Sequence, residues 1–228
     1  MTDQSVNHPG RKIMPHVGKR RARPAEDTPA VRREEILAAA ATVFAECGYA
    51  ETEMQAVADR CGVAKGTIYL YFPSKEKLFL ATVDRAMTRL RESVRSAYEP
   101  VADPLERLEV AIRAYLEFFR DHRHFAELLI IERAVYRDRK TPTYLEHRKA
   151  HRGEWEKVYA DLIEAGRMRD IPVNDILRFV SDLVYGTMFT NHFAGHEYTP
   201  AEQAHILVDI LFHGLLSPSE RRKRSRMG

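Results

Sequence analysis

At 228 residues and 44% hydrophobic composition the chain is long enough to bury a sizeable core. No apolar run approaches the length of a membrane span, and the polar, basic N-terminus lacks the apolar segment of a secretion signal, so a cytoplasmic protein with no membrane partner is expected. The formal net charge is +3 but unevenly spread: residues 1–27 hold six Lys/Arg against three Asp/Glu and residues 217–228 five against one, which leaves 28–216 at −4. Positive tails on an acidic body suit either phosphate attraction that falls with salt or simple solubilisation.

The first 27 residues combine Pro, Gly, Arg and Lys without apolar periodicity, which predicts a disordered basic N-terminal arm ending near Lys19-Arg20-Arg21-Ala22-Arg23. A first helix is expected from Pro29, with Thr28 as N-cap, to Cys47 before a stop at Gly48; Ile36, Ala40, Val43 and Phe44 form its core stripe. The only two cysteines, Cys47 and Cys61, lie among apolar positions of an apparently intracellular chain, which predicts buried thiols rather than a disulfide or a metal site.

Glu46 to Phe79 organises the rest. Met54, Val57 and Ala58, then Val63, Ile68 and Phe72, fall at helical spacing on either side of Cys61-Gly62, where glycine can take the positive φ that ends one helix and aims the next. The second helix, about Ala64 to Tyr71, opens on Lys65-Gly66-Thr67, too polar for a mere core element. Its first turn offers N–H groups, a lysine and a hydroxyl for phosphate contact and base reading in a major groove. Gly66 costs about 1 kcal/mol against alanine inside a helix, and close backbone approach to DNA is a reason to keep it. Tyr69 and Tyr71 can each pack on sugar or a thymine methyl while bonding a phosphate. Pro73 stops this helix, and Ser74 caps another whose first turn carries Lys75 and Lys77, against the helix dipole unless a phosphate lies nearby.

Gly48-Tyr49, Thr52, Met54, Val57-Ala58 and the unbroken run Gly62 to Phe79 resemble the DNA-binding domain of the tetracycline-repressor (TetR) family, over about Val31 to Arg85. Glu53 stands where that family often has Ser or Thr, and Ala64 where Ser is common, which leaves Thr52 to cap and contact alone. DNA contact is therefore expected from Thr52, Lys65, Gly66, Thr67, Tyr69, Tyr71 and Lys75.

The helix from Ser74 continues through Met87 toward Tyr98 and links the DNA-binding unit to the remainder. Asp103-Pro104-Leu105-Glu106 opens a helix carrying Leu108, Ile112, Tyr115 and Phe119; His124 to Tyr136, Thr143 to Ala165 and Val173 to Phe193 follow, and Thr199-Pro200-Ala201-Glu202 opens the last, to about Leu216. No segment reads as a strand. The expected fold is all-α with about nine helices: a basic arm at 1–27, a helix-turn-helix domain at 28–76, a helical ligand-binding and dimerisation domain at 77–216, and a basic tail at 217–228.

Between Ile206 and Leu216 apolar residues point in nearly every direction, so this helix needs covering on both sides. A second copy, meeting it through the last two helices in a four-helix interface, is expected, as the resemblance also implies. His147 with His151, and His192 with His196, have zinc-ligand spacing, but neither pair has the glutamate of a HExxH hydrolase and Arg148 and Arg152 flank the first; no catalytic residue, metal or cofactor is assigned. The function expected is a regulator that binds a near-palindromic operator as a homodimer, a repressor released by a small, largely apolar effector. A metal- or His-dependent enzyme on a helical scaffold, and a DNA-bound adaptor answering to a protein partner, remain alternatives. The effector is expected among Tyr115, Phe118, Phe119, Phe125, Trp155, Tyr159, Met188, Phe189, His192 and Phe193, which lie on the helices that wall the pocket in the family it resembles, with coupling through Asp103–Arg120 to the Ser74 helix.

Overall fold

The computed structural model describes residues 28–195 and 197–215; the two basic tails, Leu216 and His196 lie outside them. Ten α-helices and no strand are present among the described residues. The first, α1 (Pro29–Glu51), starts on Thr28, whose side chain accepts from the Val31 N–H at 3.3 Å, and carries Pro29 in its first turn. Its regular part breaks at Gly48, where φ is 74°, and one further turn leads into α2 (Met54–Cys61). Gly62 at φ 69° closes α2, its N–H bonding back to Ala58 and Asp59, and re-aims the chain into α3 (Lys65–Tyr71). Ile36, Leu37, Ala40 and Phe44 of α1, Val57 and Ala58 of α2 and Ile68 of α3 are almost completely buried, so this small unit has a dry centre.

Ser74 caps α4 (Lys75–Tyr98), accepting from the Lys77 N–H at 3.1 Å. Phe79 on α4 meets Phe44 edge-to-face at 5.0 Å between ring centroids, which ties the long helix to α1. Asp103 caps α5 (Pro104–Asp121) by accepting from the N–H groups of Leu105 and Glu106, and α6 (Arg123–Val135) follows after the corner at His122. Most of the buried apolar residues of α1 to α6 form one continuous cluster that also takes in Tyr144, Val184, Met188, Ala204 and Val208.

Thr143 to Ala165, expected as one helix, is two: α7 (Thr143–Ala150) and α8 (Arg152–Glu164), bent at His151 with φ −109° and ψ 12°. Gly153 lies just past the bend, in the first turn of α8, and the attachments on either side of it diverge. Tyr144 packs on Tyr185 and bonds Tyr115, whereas Tyr159 and Leu162 join Leu108 in a separate cluster, and a straight helix cannot present both. The bend accounts for ten helices rather than nine. Then come α9 (Val173–Ala194) and α10 (Pro200–His213); α10 has the expected capping box between Thr199 and Glu202 and ends at His213 ahead of Gly214, where φ is 70°.

The link from α6 to α7 is held by Glu132, 1% exposed. Its carboxylate accepts from the N–H and hydroxyl of Thr143 and from the Arg139 guanidinium at 2.5 Å, while Arg139 also reaches Glu146. Beside it, Tyr136 stacks on Phe79 and meets Tyr49 edge-on, so the end of α6 rests directly against α1 and α4.

Candidate nucleic-acid interface and effector cavity

The seven-residue α3 has a sharply two-sided character. Ile68 is sealed in the core and Phe72, its C-cap, is 4% exposed, whereas Lys65, Gly66, Tyr69 and Leu70 face outward. Helical spacing explains the division: Lys65 with Tyr69, and Gly66 with Leu70, are four residues apart and share one face. Leu70 was not singled out by sequence, yet it is 85% exposed against 44% for Tyr69. Binary pattern alone assigns a leucine beside Ile68 to the core; only the registration of so short a helix turns it outward. Thr67 and Tyr71 are half-buried at the edges of this face. Nothing lies within 4 Å of the position a Gly66 Cβ would occupy.

Two of the expected DNA contacts, Thr52 and Lys75, make bonds within the protein. Thr52 is 2% exposed, and its hydroxyl donates to the Gly48 carbonyl at 2.5 Å; the N-cap of α2 is Glu53, which makes no side-chain cap bond, so Thr52 does not cap that helix. The ammonium of Lys75 donates to the carbonyls of Ala50 and Thr52 at 3.0 and 3.1 Å and lies over the Tyr49 ring at 4.8 Å. It satisfies carbonyls left open where α1 ends, which also removes the apparent conflict between lysine and the α4 dipole. The thiols differ from expectation too: Cys47 is exposed, and Cys61 is half-buried with its pKa raised first by burial and next by Glu35.

A cavity of about 560 Å³ lies between α4, α7, α8 and α9. Its buried floor is Met87, Leu90, Tyr98, Tyr115, Tyr144 and Val184, and its exposed rim includes Lys149, Arg152, Asn174 and Arg178. A second, apolar recess of about 140 Å³ shares Val94, Tyr115, Trp155, Leu177, Ser181 and Val184 with it and extends toward Leu108, Ile112 and Tyr159. Burial holds the Tyr115 phenol well above its ordinary pKa and pushes that of Tyr144 up to about 12, so both are neutral hydroxyls, 3.3 Å apart.

Of the ten residues expected around an effector, the structure brings Tyr115, Trp155 and Tyr159 to these cavities. Phe119, Met188 and His192 instead border a gap of about 10 Å³, and His192 pairs with Glu127 at 3.0 Å. Phe118 and Phe125 are core, stacked on each other. Phe189 packs against Tyr185 and Phe193, the latter 71% exposed. The correction is systematic. Aromatic content marks good packing as readily as a pocket, and the cavity is walled by α4, which reads from sequence as a plain connecting helix.

His147 and His151 do not converge on a common point: His147 Nε2 meets Asp84 at 2.8 Å, while His151 Nδ1 accepts from Arg91 at 3.4 Å. Among the described residues no three His, Cys, Asp or Glu side chains form a metal-sized group, and no helix is long and apolar enough to cross a membrane.

A short helix seated by Ile68 and Phe72, with its polar start facing outward and a long helix leading from it to a cavity, defines a helix-turn-helix regulator. Residues 36–82 match the model for bacterial regulatory proteins of the tetR family, and residues 101–215 match the tetracyclin repressor-like C-terminal domain. The chain belongs to the tetR family. It is 33% identical over 158 residues to the HTH-type transcriptional repressor KstR2 of Mycobacterium tuberculosis, covering 68% of this chain and 78% of that protein. It is 29% identical over 192 residues to the uncharacterized regulator YerO of Bacillus subtilis, covering 81% of this chain and 65% of that longer protein. Among solved structures, the fatty acid degradation regulator FadR of Bacillus halodurans has the same fold, with a TM-score of 0.72 at 20% identity over 83% of this chain and 98% of that one. The ketosteroid transcriptional regulator KstR2 of Mycobacterium tuberculosis follows with 0.60 at 26% identity over 82% and 95%.

Proposed function

We propose that this protein is a transcriptional repressor that binds a near-palindromic operator as a homodimer and is released by a small, largely apolar effector held between α4, α5, α7, α8 and α9. The observation that carries the reading is α4 itself: one helix seats the DNA-reading unit through Phe79 and walls the cavity through Met87, Leu90, Val94 and Tyr98. No relay through α5 is needed. A ligand that favours one tilt of α4 changes the separation of the two recognition helices, and a preference of about 1–3 kcal/mol weakens DNA binding 5- to 150-fold.

The unit from 28 to 76 reads DNA and 77 to 216 binds effector and partner. Lys65 contacts phosphate, Gly66 admits the backbone, Tyr69 and Leu70 meet base edges or thymine methyls, and Thr67 and Tyr71 border the contact; Thr52 and Lys75 hold the unit's shape. The dimer reading is supported by the outward faces of α9 and α10, where Phe179, Phe193, Ile206, Ile210 and Phe212 are 36–71% exposed, more apolar surface than a lone chain leaves open without use. An apolar effector is in keeping with KstR2, a ketosteroid regulator by its description, among the relatives.

The test is selection of bound sequences from random duplex DNA at physiological salt. A palindrome with half-sites about 34–36 Å or a multiple apart is expected, and Lys65→Ala should lower the salt slope by about one unit on it. No enriched sequence, or an unchanged slope with binding intact, counts against the reading of α3.

A further inference from the structure

The main cavity is chemically lopsided. Five of the residues lining it are lysine or arginine and two are acidic. Most of these charges are already balanced locally: Arg148 pairs with Asp182, Arg152 with Glu156, and Arg178 with Asp175. The carboxylate of Glu154 accepts a hydrogen bond from the Tyr98 hydroxyl and keeps its charge. Arg91 is different. Projecting from α4 and half-buried, it has one polar contact among the described residues, to Nδ1 of His151.

That contact fixes the imidazole. A guanidinium only donates, so His151 Nδ1 accepts and its proton sits on Nε2; burial first, then Arg91 and His147, hold the His151 pKa below its ordinary value and keep the ring neutral. A half-buried cation whose one polar partner among the described residues is a neutral ring retains an unneutralised charge. The adjoining recess is the opposite environment, lined by Val94, Ile112, Leu177 and Val180 with Ser181 as its only small polar side chain.

We propose that Arg91, backed by His151, is the head-group site of the effector, and that the effector is an amphiphile whose apolar body fills the recess and whose end carries an anion, a carboxylate or a phosphate. This rests on the cavity being the effector site, as proposed above. The anion replaces a 3.4 Å contact with charge-assisted hydrogen bonds from the guanidinium, and Lys149 at the rim, which makes no ion pair among the described residues, adds attraction along the entry path. Because Arg91 belongs to α4, the head group pulls on the helix that carries the DNA-binding unit.

The chain supplies its own probe, since Trp155 is the single tryptophan and borders both the cavity and the recess. Full-length protein is titrated with dodecanoate, dodecanoyl-coenzyme A and dodecanol, reading Trp155 fluorescence. Either anionic probe should bind at least about tenfold more tightly than the alcohol. Arg91→Gln should bring that ratio to within about twofold, and Arg91→Lys should keep most of it, with a thermal melt confirming that each variant is folded. A preference shown by dodecanoate assigns the anion to a carboxylate; one shown only by the thioester assigns it to phosphate. Equal affinity for acid, thioester and alcohol, or an Arg91→Gln loss that is the same for all three, overturns the head-group site while leaving the cavity as the effector site. If no probe reaches Trp155, the cavity reading falls and the head-group site falls with it.

Discussion

Replacing Gly66 by alanine separates the two demands made on α3. Within the protein the change is favourable: the φ at Gly66 is not in the left-handed region, and the new methyl meets nothing within 4 Å. Alanine is better than glycine in a helix by about 0.8–1.0 kcal/mol, so the variant gains up to about 1 kcal/mol, which for a chain of this size raises Tm by about 2–4 °C. Against DNA the same methyl points from the face shared with Tyr69 and Leu70, where it holds the backbone away from phosphate and base edges. Losing one such contact costs about 1–3 kcal/mol, or roughly 5- to 150-fold in affinity. Thermal melts and fluorescence anisotropy on the selected operator measure the two effects independently, and they should move in opposite directions. A variant that is more stable and binds DNA as well as the parent would refute the close approach and move the reading surface away from Gly66.

Glu132→Ala should destabilise the chain by about 2–3 kcal/mol, seen as a lower denaturant midpoint, because it strands the Thr143 N–H and leaves Arg139 without its buried partner; a change within 0.5 kcal/mol would mean water replaces the carboxylate. Stability should fall on acidification. His122 and His124, packed against Phe118 and Phe125, have pKa values lowered by burial first and then by neighbouring charge, from Arg89 on His122, against a smaller opposing pull from Asp121, and from His122 followed by Arg89 on His124. The unfolded chain therefore binds more protons, and stability that is complete above about pH 6.5 is lost as pH drops toward the depressed folded values. Melts from pH 7.5 to 5.5 should show this, with a shallower slope in His124→Gln; an identical slope would exclude His124 as a contributor. Replacing both Ile206 and Ile210 by glutamate should yield monomers in sedimentation and weaken operator binding, whereas an unaltered dimer would place the interface off α10.

The fold was legible because its signals are local. Thr28, Ser74, Asp103 and Thr199 each cap the helix they were expected to cap, and Gly62 adopts the left-handed turn its position demands. These devices act over three or four residues, which is the range a sequence displays directly. The bend at His151 was not legible, since it is imposed by the competing attachments of Tyr144 and Tyr159 to different neighbours. The same limit governed the sites. That Lys65, Gly66 and Tyr69 face outward follows from the period of one short helix, which decides which face is free. The bonds of Lys75 and Thr52 to carbonyls around the end of α1 were not legible, because those partners are set by chain reversal and carry no side-chain signature.

The placement of the cavity has a mechanical consequence. A pocket enclosed by α5, α6, α8 and α9, the helices that carry the ten expected residues, would need a further element to move the DNA-binding unit. Here α4 has three kinds of attachment along its length: Phe79 to the core of that unit, Arg85 to Glu34 of α1 at 2.5 Å, and Asp84 to His147 of α7 at 2.8 Å. Its next turns, at Leu90, Arg91 and Val94, face the cavity. His147 also borders that cavity, so an effector displacing α7 strains the Asp84 tie within two turns of Phe79. Packed helices shift as rigid bodies rather than bending continuously, which lets a small displacement there become a rotation of α3 relative to its twin. The tie at Asp84 is exposed and individually weak, as a switch requires: a strong bond at that point would hold one arrangement against the modest coupling energy a small ligand can supply.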